Sequence, residues 1–184
     1  MSLPPSIWSV GHSTRTIEAF ISLLQHHGIK AIADVRRFPG SRRLPQFSSA
    51  NLAASLAEHD IAYQWFEELG GRRRASSASV DSAWRNASFR GYSEHVHSAE
   101  FESGLCSLLK LAEAYPTAMM CAEVLWWRCH RSMISDVLKL RGIEVRHIQD
   151  EKRITVHPYT SPARLLDGNL SYAEDAGEPL KDRP

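Results

Sequence analysis

Short apolar runs alternate with segments of helical periodicity, and this alternation constrains the fold of the chain more than any other feature. Five runs of four to six residues are rich in apolar residues: Ile7–Val10, Ala31–Val35, Ile61–Phe66, Thr117–Cys121 and Ile143–Ile148. Runs of this length are typical of buried strands. Strands that alternate with helices favour an α/β domain with a mainly parallel sheet. We therefore predict about five strands with helices on both faces, in an open, Rossmann-like sheet.

The segments between these runs have the residue spacing of amphipathic helices. One apolar stripe at i, i+3, i+4 and i+7 runs from Ile17 to Leu24, with Thr16 as a candidate N-cap and Gly28 as a C-terminal stop. Similar stripes predict three further helices, near residues 49–58, 105–112 and 133–141.

Two stretches and the C-terminal tail interrupt this pattern. The length of 184 residues fits one α/β domain over residues 1–184. Residues 36–47 and 67–91 lack periodicity and predict long loops, which in a domain of this size are often functional. From about Gln149 the sequence contains Pro158, Pro162 and Pro179 and little periodicity, so we expect an irregular tail.

The charge of the chain is unevenly distributed. A formal net charge of +1 excludes a uniformly basic nucleic-acid binder. However, residues 36–47 contain four arginines and no acid, and residues 72–92 contain five arginines against Asp81. Residues 165–184 are acidic. Arginine binds phosphate and carboxylate bidentately, so the two arginine-rich stretches indicate a local anion site, although solvated loops would look alike.

The cysteine count and the hydropathy indicate the compartment. Cys106, Cys121 and Cys129 are an odd number, which does not suit a disulfide scaffold, and Cys106 lies on an apolar stripe and is expected in the core. No apolar run reaches the ~18 residues that span a bilayer. The N-terminus lacks the basic and apolar regions of a signal peptide. We expect a cytoplasmic protein with no membrane partner, and the sequence indicates no oligomeric state.

Polar residues of the types that act in catalysis and ligand binding follow one predicted strand after another. Ligands bind outside the carboxyl ends of the strands in open α/β sheets, so these residues predict one site. The candidate catalytic residues are His12, Asp34, Glu123, Cys129 and His130. The candidate substrate-binding residues are Ser13, Arg36, Arg42 and Arg131. We expect one cleft to be lined by His12, Asp34, Arg36, Arg42, Glu123 and Arg131.

Each residue after the first two strands has two interpretations. His12 suits an acid, a base or a ligand, or else it stabilises a turn. Ser13 precedes a helix N-terminus that would bind an anion, or it belongs to an ordinary cap. Asp34 and Arg36 would share a face of an extended segment, as an acid with its orienting cation or as a structural ion pair. Arg42 clamps an anionic substrate or is an exposed loop charge.

The residues after the fourth strand also leave alternatives open. Glu123 is a candidate general acid or base, because partial burial would favour its protonated form near neutral pH. Alternatively, Arg128 or Arg131 neutralises this carboxylate. Cys129, His130 and Arg131 are expected in the first turn of a helix, which activates a thiol and binds anions. Cys129 is therefore a candidate nucleophile, or a small core residue.

Several familiar sites are absent from the sequence. It contains neither Gly-x-Gly-x-x-Gly nor Gly-x4-Gly-Lys-Ser/Thr, which bind dinucleotides and phosphates. Six residues separate Cys121 from Arg128, so the Cys-x5-Arg pattern of cysteine phosphatases is not met. Cys121, Cys129 and His130 lack the paired spacing of a structural zinc site. The sequence thus predicts no metal and no cofactor.

Several short motifs follow one another along residues 7–150. They are Ser9-Val10-Gly11-His12-Ser13, Asp34-Val35-Arg36, Pro39, Ser41-Arg42, Phe47-Ser48, Tyr63, Leu69-Gly70-Gly71, Cys121-Ala122-Glu123, Cys129-His130-Arg131 and His147-Ile148. A chain with these motifs in this order resembles domain-of-unknown-function family 488 of bacteria and archaea. The resemblance implies an α/β fold and selects the same residues at the strand ends, and it implies no activity.

Three functions fit these residues. The first is an enzyme that acts on a phosphate-bearing substrate, a nucleotide or nucleic acid, with arginines as the anion site and Glu and His as acid–base groups. The second is a non-catalytic module that binds nucleic acid or an anionic metabolite, with Trp84, Phe89 and Tyr92 stacking on bases. The third is a redox or metal site that uses Cys129 and His130.

Overall fold

The computed structural model describes residue 4 and residues 6–76, 83–174 and 177–180. Its main sheet contains five parallel strands: β1 (Ser6–Gly11), β2 (Ala31–Asp34), β3 (Ala62–Trp65), β4 (Thr117–Cys121) and β5 (Glu144–Ile148). Each strand falls on one of the five apolar runs, which confirms the prediction of an α/β domain. A sixth strand, β6 (Ile154–Val156), pairs antiparallel with β5 and makes the sheet mixed.

The order of the strands in the sheet is β3-β2-β4-β1-β5-β6. In a Rossmann sheet the first strand lies next to the second, whereas here β4 separates them. The Rossmann-like arrangement is therefore not confirmed. The observed order places the carboxyl ends of β2, β4 and β1 side by side at the centre of one edge.

Within the described ranges, five α-helices accompany the sheet: α1 (Ile17–His26), α2 (Ser49–Ala57), α3 (Ala87–His95), α4 (Ala99–Ala114) and α5 (Arg131–Leu140). The apolar stripes of the sequence predicted four of them. α3 corrects the prediction of a long loop over residues 67–91, although residues 77–82 of that stretch lie outside the described residues. The Asn86 side chain caps α3, because its oxygen accepts a hydrogen bond from the Ser88 N–H at 2.8 Å.

The helices cover both faces of the sheet, as the sequence predicted. Successive residues of a strand point to opposite faces. In β2, Ile32 faces the core beneath α1 and α2, and Ala33 faces the core beneath α4 and α5. β4 repeats this alternation, with Met120 on the first side and Met119 on the second.

The C-terminal tail is more regular than the sequence indicated. After β6, the strands β7 (Arg164–Leu166), β8 (Asn169–Ser171) and β9 (Glu178–Pro179) form a second, antiparallel sheet in the order β8-β7-β9. Asp167 and Gly168 make the two-residue turn between β7 and β8, both with positive φ. Asp-Gly is a strong hairpin signal, so this turn was readable in the sequence. Two acids of the tail, Asp175 and Asp182, lie outside the described residues.

A buried carboxylate on α5 anchors this tail. The Asp136 side chain is fully buried. It accepts hydrogen bonds from the Thr160 hydroxyl at 2.5 Å, from the Tyr172 hydroxyl at 2.9 Å and from His157 Nε2 at 3.0 Å. Three separate points of the tail therefore depend on one side chain of the central domain.

Among the described residues, no helix combines the length and the apolar character needed to cross a bilayer.

Replacement of Asp136 by alanine is expected to lower the free energy of unfolding by about 3–5 kcal/mol, because buried donors lose their acceptor. Urea denaturation measures the loss, and hydrogen exchange over residues 154–172 should rise. The matched control is Asp150→Ala, which removes a solvent-exposed carboxylate that pairs with Arg153 and should cost far less stability. Equal losses in the two variants would contradict the anchoring role.

Candidate functional site

A pocket of about 440 Å³ opens at the carboxyl edge of the sheet. It is formed by the segments that follow β2 and β4, by residues 71–72 and by the start of α3. Four of the nine predicted site residues line it: Arg36, Glu123, Cys129 and His130. The other five, His12, Ser13, Asp34, Arg42 and Arg131, are outside its lining. The single cleft that we expected is thus only partly formed by the predicted residues.

Asp34 and Arg36 form a buried ion pair at the end of β2. Arg36 donates from Nε to Asp34 Oδ1 at 2.8 Å and from Nη2 to Oδ2 at 2.5 Å. The Tyr63 hydroxyl donates to the same carboxylate at 2.7 Å. Burial and the negative charge of Asp34 raise the pKa of Tyr63, which therefore stays a donor. A third bond runs from Arg36 Nη1 to the Phe47 carbonyl at 2.8 Å. Of the two interpretations of Asp34 and Arg36, the contacts are those of a structural ion pair.

His12 lies beside this pair, and both of its ring nitrogens are occupied. Nδ1 bonds to the Ser13 carbonyl at 2.8 Å, and Nε2 accepts from Arg36 Nη1 at 3.4 Å. The ring stacks on Phe47 with 4.1 Å between the centroids. Burial, assisted by the charge of Arg36, lowers the pKa of His12 to about 4. His12 is therefore neutral near pH 7 and holds the loop after β1 in place.

The next two predicted anion-binding residues are also withdrawn from the pocket. The Ser13 N–H is occupied, because it donates to the Ala122 carbonyl at 3.0 Å. Arg131 is 1% exposed and donates to the Ser9 hydroxyl at 3.0 Å, to Cys129 Sγ at 3.3 Å and to the Glu123 carbonyl. Its charge lies behind the pocket wall, where it acts on the Cys129 sulfur.

Glu123 and Arg42 are both exposed. The Glu123 carboxylate accepts a hydrogen bond from the Leu125 N–H at 3.1 Å and lies on the rim of the pocket. The partial burial expected for this side chain is absent. Arg131 bonds to the backbone of Glu123 and not to its carboxylate. Arg42 lies on the loop after β2, beyond the pocket lining.

A cluster of two thiols and one imidazole forms part of the pocket wall. The sulfur atoms of Cys121 and Cys129 and a ring nitrogen of His130 all lie within 4.8 Å of one another, and Cys129 Sγ is 3.5 Å from His130 Nδ1. Burial by itself raises the pKa of the Cys129 thiol, but a hydrogen bond from Cys121 and the charge of Arg131 hold that pKa well below its ordinary value. Cys106, which we expected in the core, is exposed on α4.

Arg72 and Arg128 provide the free positive charge of the pocket. Both are exposed, and among the described residues neither forms an ion pair. The backbone of Arg72 is in the left-handed region, with φ of 57°, a conformation that costs a non-glycine residue free energy and that recurs at functional sites. Arg37, by contrast, is paired with Glu67 at 3.4 Å.

Two aromatic rings also line the pocket. Phe38 is 69% exposed, and Phe89 packs edge-on against Trp84 with 4.9 Å between the centroids. Tyr92, the third aromatic of the binding-module hypothesis, is buried and donates to the Leu69 carbonyl at 2.7 Å. Sequence reasoning found the arginine-rich stretches that contain Arg72 and Phe38. It could not find the individual residues, because their exposure depends on which neighbours are already paired.

The sequence also did not single out a chain of buried polar groups behind the pocket. His147 Nε2 lies 2.9 Å from His157 Nδ1, and His157 in turn contacts Asp136. Trp126 stacks on His147 with 4.3 Å between the centroids. Burial, the adjacent His157 and the charge of Arg131 together lower the pKa of His147 from 6.5 to about 2, against a weaker opposite effect of Cys129. Asp136, the lone acid of α5, was the available signal.

The comparisons with known proteins yielded one match. A family model described as "Domain of unknown function DUF488" matches residues 16–138. This range contains seven of the nine predicted site residues and leaves out His12 and Ser13. The searches of curated proteins and of solved structures found no match. The motif resemblance noted in the sequence is confirmed by this result over the matched range.

The buried neutral state of His147 predicts a loss of stability in acid. Its folded pKa is depressed, so its contribution is present above the unfolded value of 6.5 and is lost as the pH falls. Between pH 7 and pH 5 we expect about 2 kcal/mol of destabilisation from this residue. Denaturation curves at both pH values measure it. His147→Asn should reduce the difference by that amount, and the exposed control His26→Asn should not. An unchanged difference in His147→Asn would refute the assignment.

Proposed function

The chain belongs to the DUF488 family, and because the description of that family names no activity, we propose a function from the pocket itself: an enzyme that acts on a phosphate-bearing substrate, a nucleotide or nucleic acid. One observation carries the proposal. Arg72 and Arg128, which have no acidic partner in the described part of the chain, line the same pocket as the exposed ring of Phe38.

In this proposal, the free arginines of the pocket bind the phosphate group of the substrate. A guanidinium group binds phosphate through two parallel hydrogen bonds and stays charged at every physiological pH. Most donors of Arg36 and Arg131 are occupied, so these residues shape the site instead of binding the anion. The proposal therefore assigns the phosphate to Arg72 and Arg128 and assigns no contact to Arg42 or Ser13.

The aromatic rings account for a planar group. The ring of Phe38 is 69% exposed, so a ligand can stack on it without displacing many contacts within the protein. Stacking of a base on an aromatic ring contributes ~1–3 kcal/mol. Phe38 and Phe89 both line the pocket that contains the free arginines. A ligand with a phosphate at one end and a base at the other matches this combination. Because nucleotides and nucleic acids are found in the cytoplasm, the proposal includes a cytoplasmic location.

The reactive groups lie on the same wall. Glu123 is a carboxylate at the rim that forms no ion pair with any described residue, which suits a general acid or base. Cys129 and His130 are 3.5 Å apart behind it and form the second candidate group. His12 and Asp34 act as positioning residues, because both hold Arg36 and neither reaches the pocket lining.

A non-catalytic binding module is the second candidate. The free arginines and the exposed Phe38 would bind a nucleotide or single-stranded nucleic acid equally well without any reaction. Turnover of the bound ligand therefore separates the two functions, and affinity does not.

Arg72→Ala and Arg128→Ala should each weaken the binding of a phosphate-bearing ligand by ~10-fold or more, as expected for a hydrogen bond to a charged group. A thermal-shift screen of nucleoside mono-, di- and triphosphates and short oligonucleotides identifies the ligand, and calorimetry measures the change. Arg42→Ala is the matched control, because it removes an exposed arginine of the neighbouring loop. Binding should also weaken as salt rises. Equal effects of all three variants would reject the anion site.

Glu123→Gln should lower turnover of the identified ligand by ~100-fold or more while leaving its affinity within about a factor of three, because an acid–base group acts mainly on the reaction. Phosphorus NMR of the bound ligand follows the reaction. A wild-type protein that binds the ligand and leaves it unchanged would instead support the binding module. Full activity of Glu123→Gln would remove the acid–base role.

A further inference from the structure

Three soft donor atoms converge on the wall of the pocket. Zinc binds sulfur at ~2.3 Å and imidazole nitrogen at ~2.0–2.1 Å, so two tetrahedral ligands of one ion lie about 3.6 Å apart when one is sulfur and one nitrogen. Cys129 Sγ and His130 Nδ1 are 3.5 Å apart. Cys121 Sγ completes a triangle in which no edge exceeds 4.8 Å. A shift of about 1 Å or less at one side chain would bring all three atoms onto one ion.

The ring of His130 is oriented as a metal ligand requires. Nε2 lies 2.8 Å from the Val35 carbonyl, which can only accept, so Nε2 carries the proton. In the neutral ring, Nδ1 is then left with a lone pair, and this nitrogen lies 3.5 Å from Cys129 Sγ. Histidines that bind metals commonly donate their other N–H to a backbone carbonyl in this way.

Gly71 keeps the space beside this nitrogen open. A Cβ atom at position 71 would lie 2.7 Å from His130 Nδ1, closer than side chains approach. Any larger residue would therefore force the imidazole of His130 or the backbone at position 71 to move. Since Gly71, Cys121, Cys129 and His130 all line the pocket, the open side of the donor triangle faces the space that receives the substrate.

From this arrangement we propose that Cys121, Cys129 and His130 bind one zinc ion, with a fourth coordination position open to the pocket. Two thiolates and one imidazole favour zinc over the hard ions magnesium and calcium. Three protein ligands with one open position are the pattern of catalytic zinc sites, in which the ion activates a water or polarises a substrate oxygen. Arg131 Nε, 3.3 Å from Cys129 Sγ, supplies a hydrogen bond to the ligating sulfur.

Only the catalytic role of the zinc ion rests on the proposed function, because the ion would act on the ligand held by Arg72 and Arg128. Its existence is independent of that function and is tested with the metal alone. If zinc and a phosphate-bearing ligand occupy one pocket, each should change the affinity of the other by the same factor.

The first experiment titrates zinc chloride into the full chain after chelator treatment, in a non-chelating reductant and against a chromophoric competitor. We expect one zinc per chain with a dissociation constant of about 100 nM or tighter. Excess magnesium should not compete. Cobalt in place of zinc should give a thiolate charge-transfer band and intense visible bands of a tetrahedral ion.

Variants of the three ligands should each weaken zinc binding by ~100-fold or more: Cys121→Ser, Cys129→Ser and His130→Asn. Cys106→Ser is the matched control, because it removes the exposed thiol of α4 and should leave the affinity unchanged. Melting curves in chelator verify that each apo variant is folded.

A measurement on the wild-type chain tests the zinc site even if a variant does not fold. Bound zinc should protect Cys121 and Cys129 from alkylation, as read by mass spectrometry, while Cys106 stays reactive. The proposal is overturned if zinc does not bind at one per chain, if the three variants bind as tightly as Cys106→Ser, or if zinc leaves the alkylation of Cys121 and Cys129 unchanged.

The outcomes also separate the zinc site from the proposed function. Zinc binding without any phosphate-bearing ligand would keep the site and reject the function. Ligand binding that depends on Arg72 and Arg128 in a chain that binds no zinc would do the reverse. If both bind with no coupling between them, the open position does not face the ligand.

Discussion

The buried Asp34–Arg36 ion pair organises the edge of the sheet that carries the pocket. A charged carboxylate at the end of a central strand is tolerated only with a partner, since an unpaired buried charge costs several kcal/mol. Arg36 meets this requirement and also bonds to the Phe47 carbonyl and to His12. Tyr63 of β3 donates a hydrogen bond to the same carboxylate and so connects β3 to the pair. The ends of β1 and β2, the strand β3 and the short helical turn at Pro45–Phe47 are thereby fixed to one another.

Two buried and two exposed arginines lie at this edge of the sheet. Arg36 forms part of the pocket wall and Arg131 lies behind it, and the protein itself occupies most of their donors. Arg72 and Arg128 lie on connecting segments and are exposed at the pocket. A wall fixed by paired charges together with free charges on its rim is suited to an anionic ligand, because the wall does not have to rearrange when the ligand binds.

The thiol and imidazole cluster depends on the same strand ends. Cys121 ends β4, and Cys129 and His130 precede α5 after a short turn at Trp126–Arg128. Gly11 allows β1 to approach the backbone at Glu123, where a Cβ atom would lie 2.1 Å from the carbonyl oxygen. The loop between β4 and α5 is therefore folded back against β1, which brings the two cysteines together.

The sequence by itself determined the alternation of strands and helices, the carboxyl edge as the place of the polar residues, and the two arginine-rich stretches. These features are local, because apolar periodicity and capping residues act within a few positions of the chain. Only the tertiary structure decided that Asp34 and Arg36 pair with each other, that His12 and Arg131 are withdrawn, and that Cys121 joins Cys129 and His130. Whether a charge is free or occupied depends on groups that are distant in the sequence and meet only after the strands are ordered in the sheet.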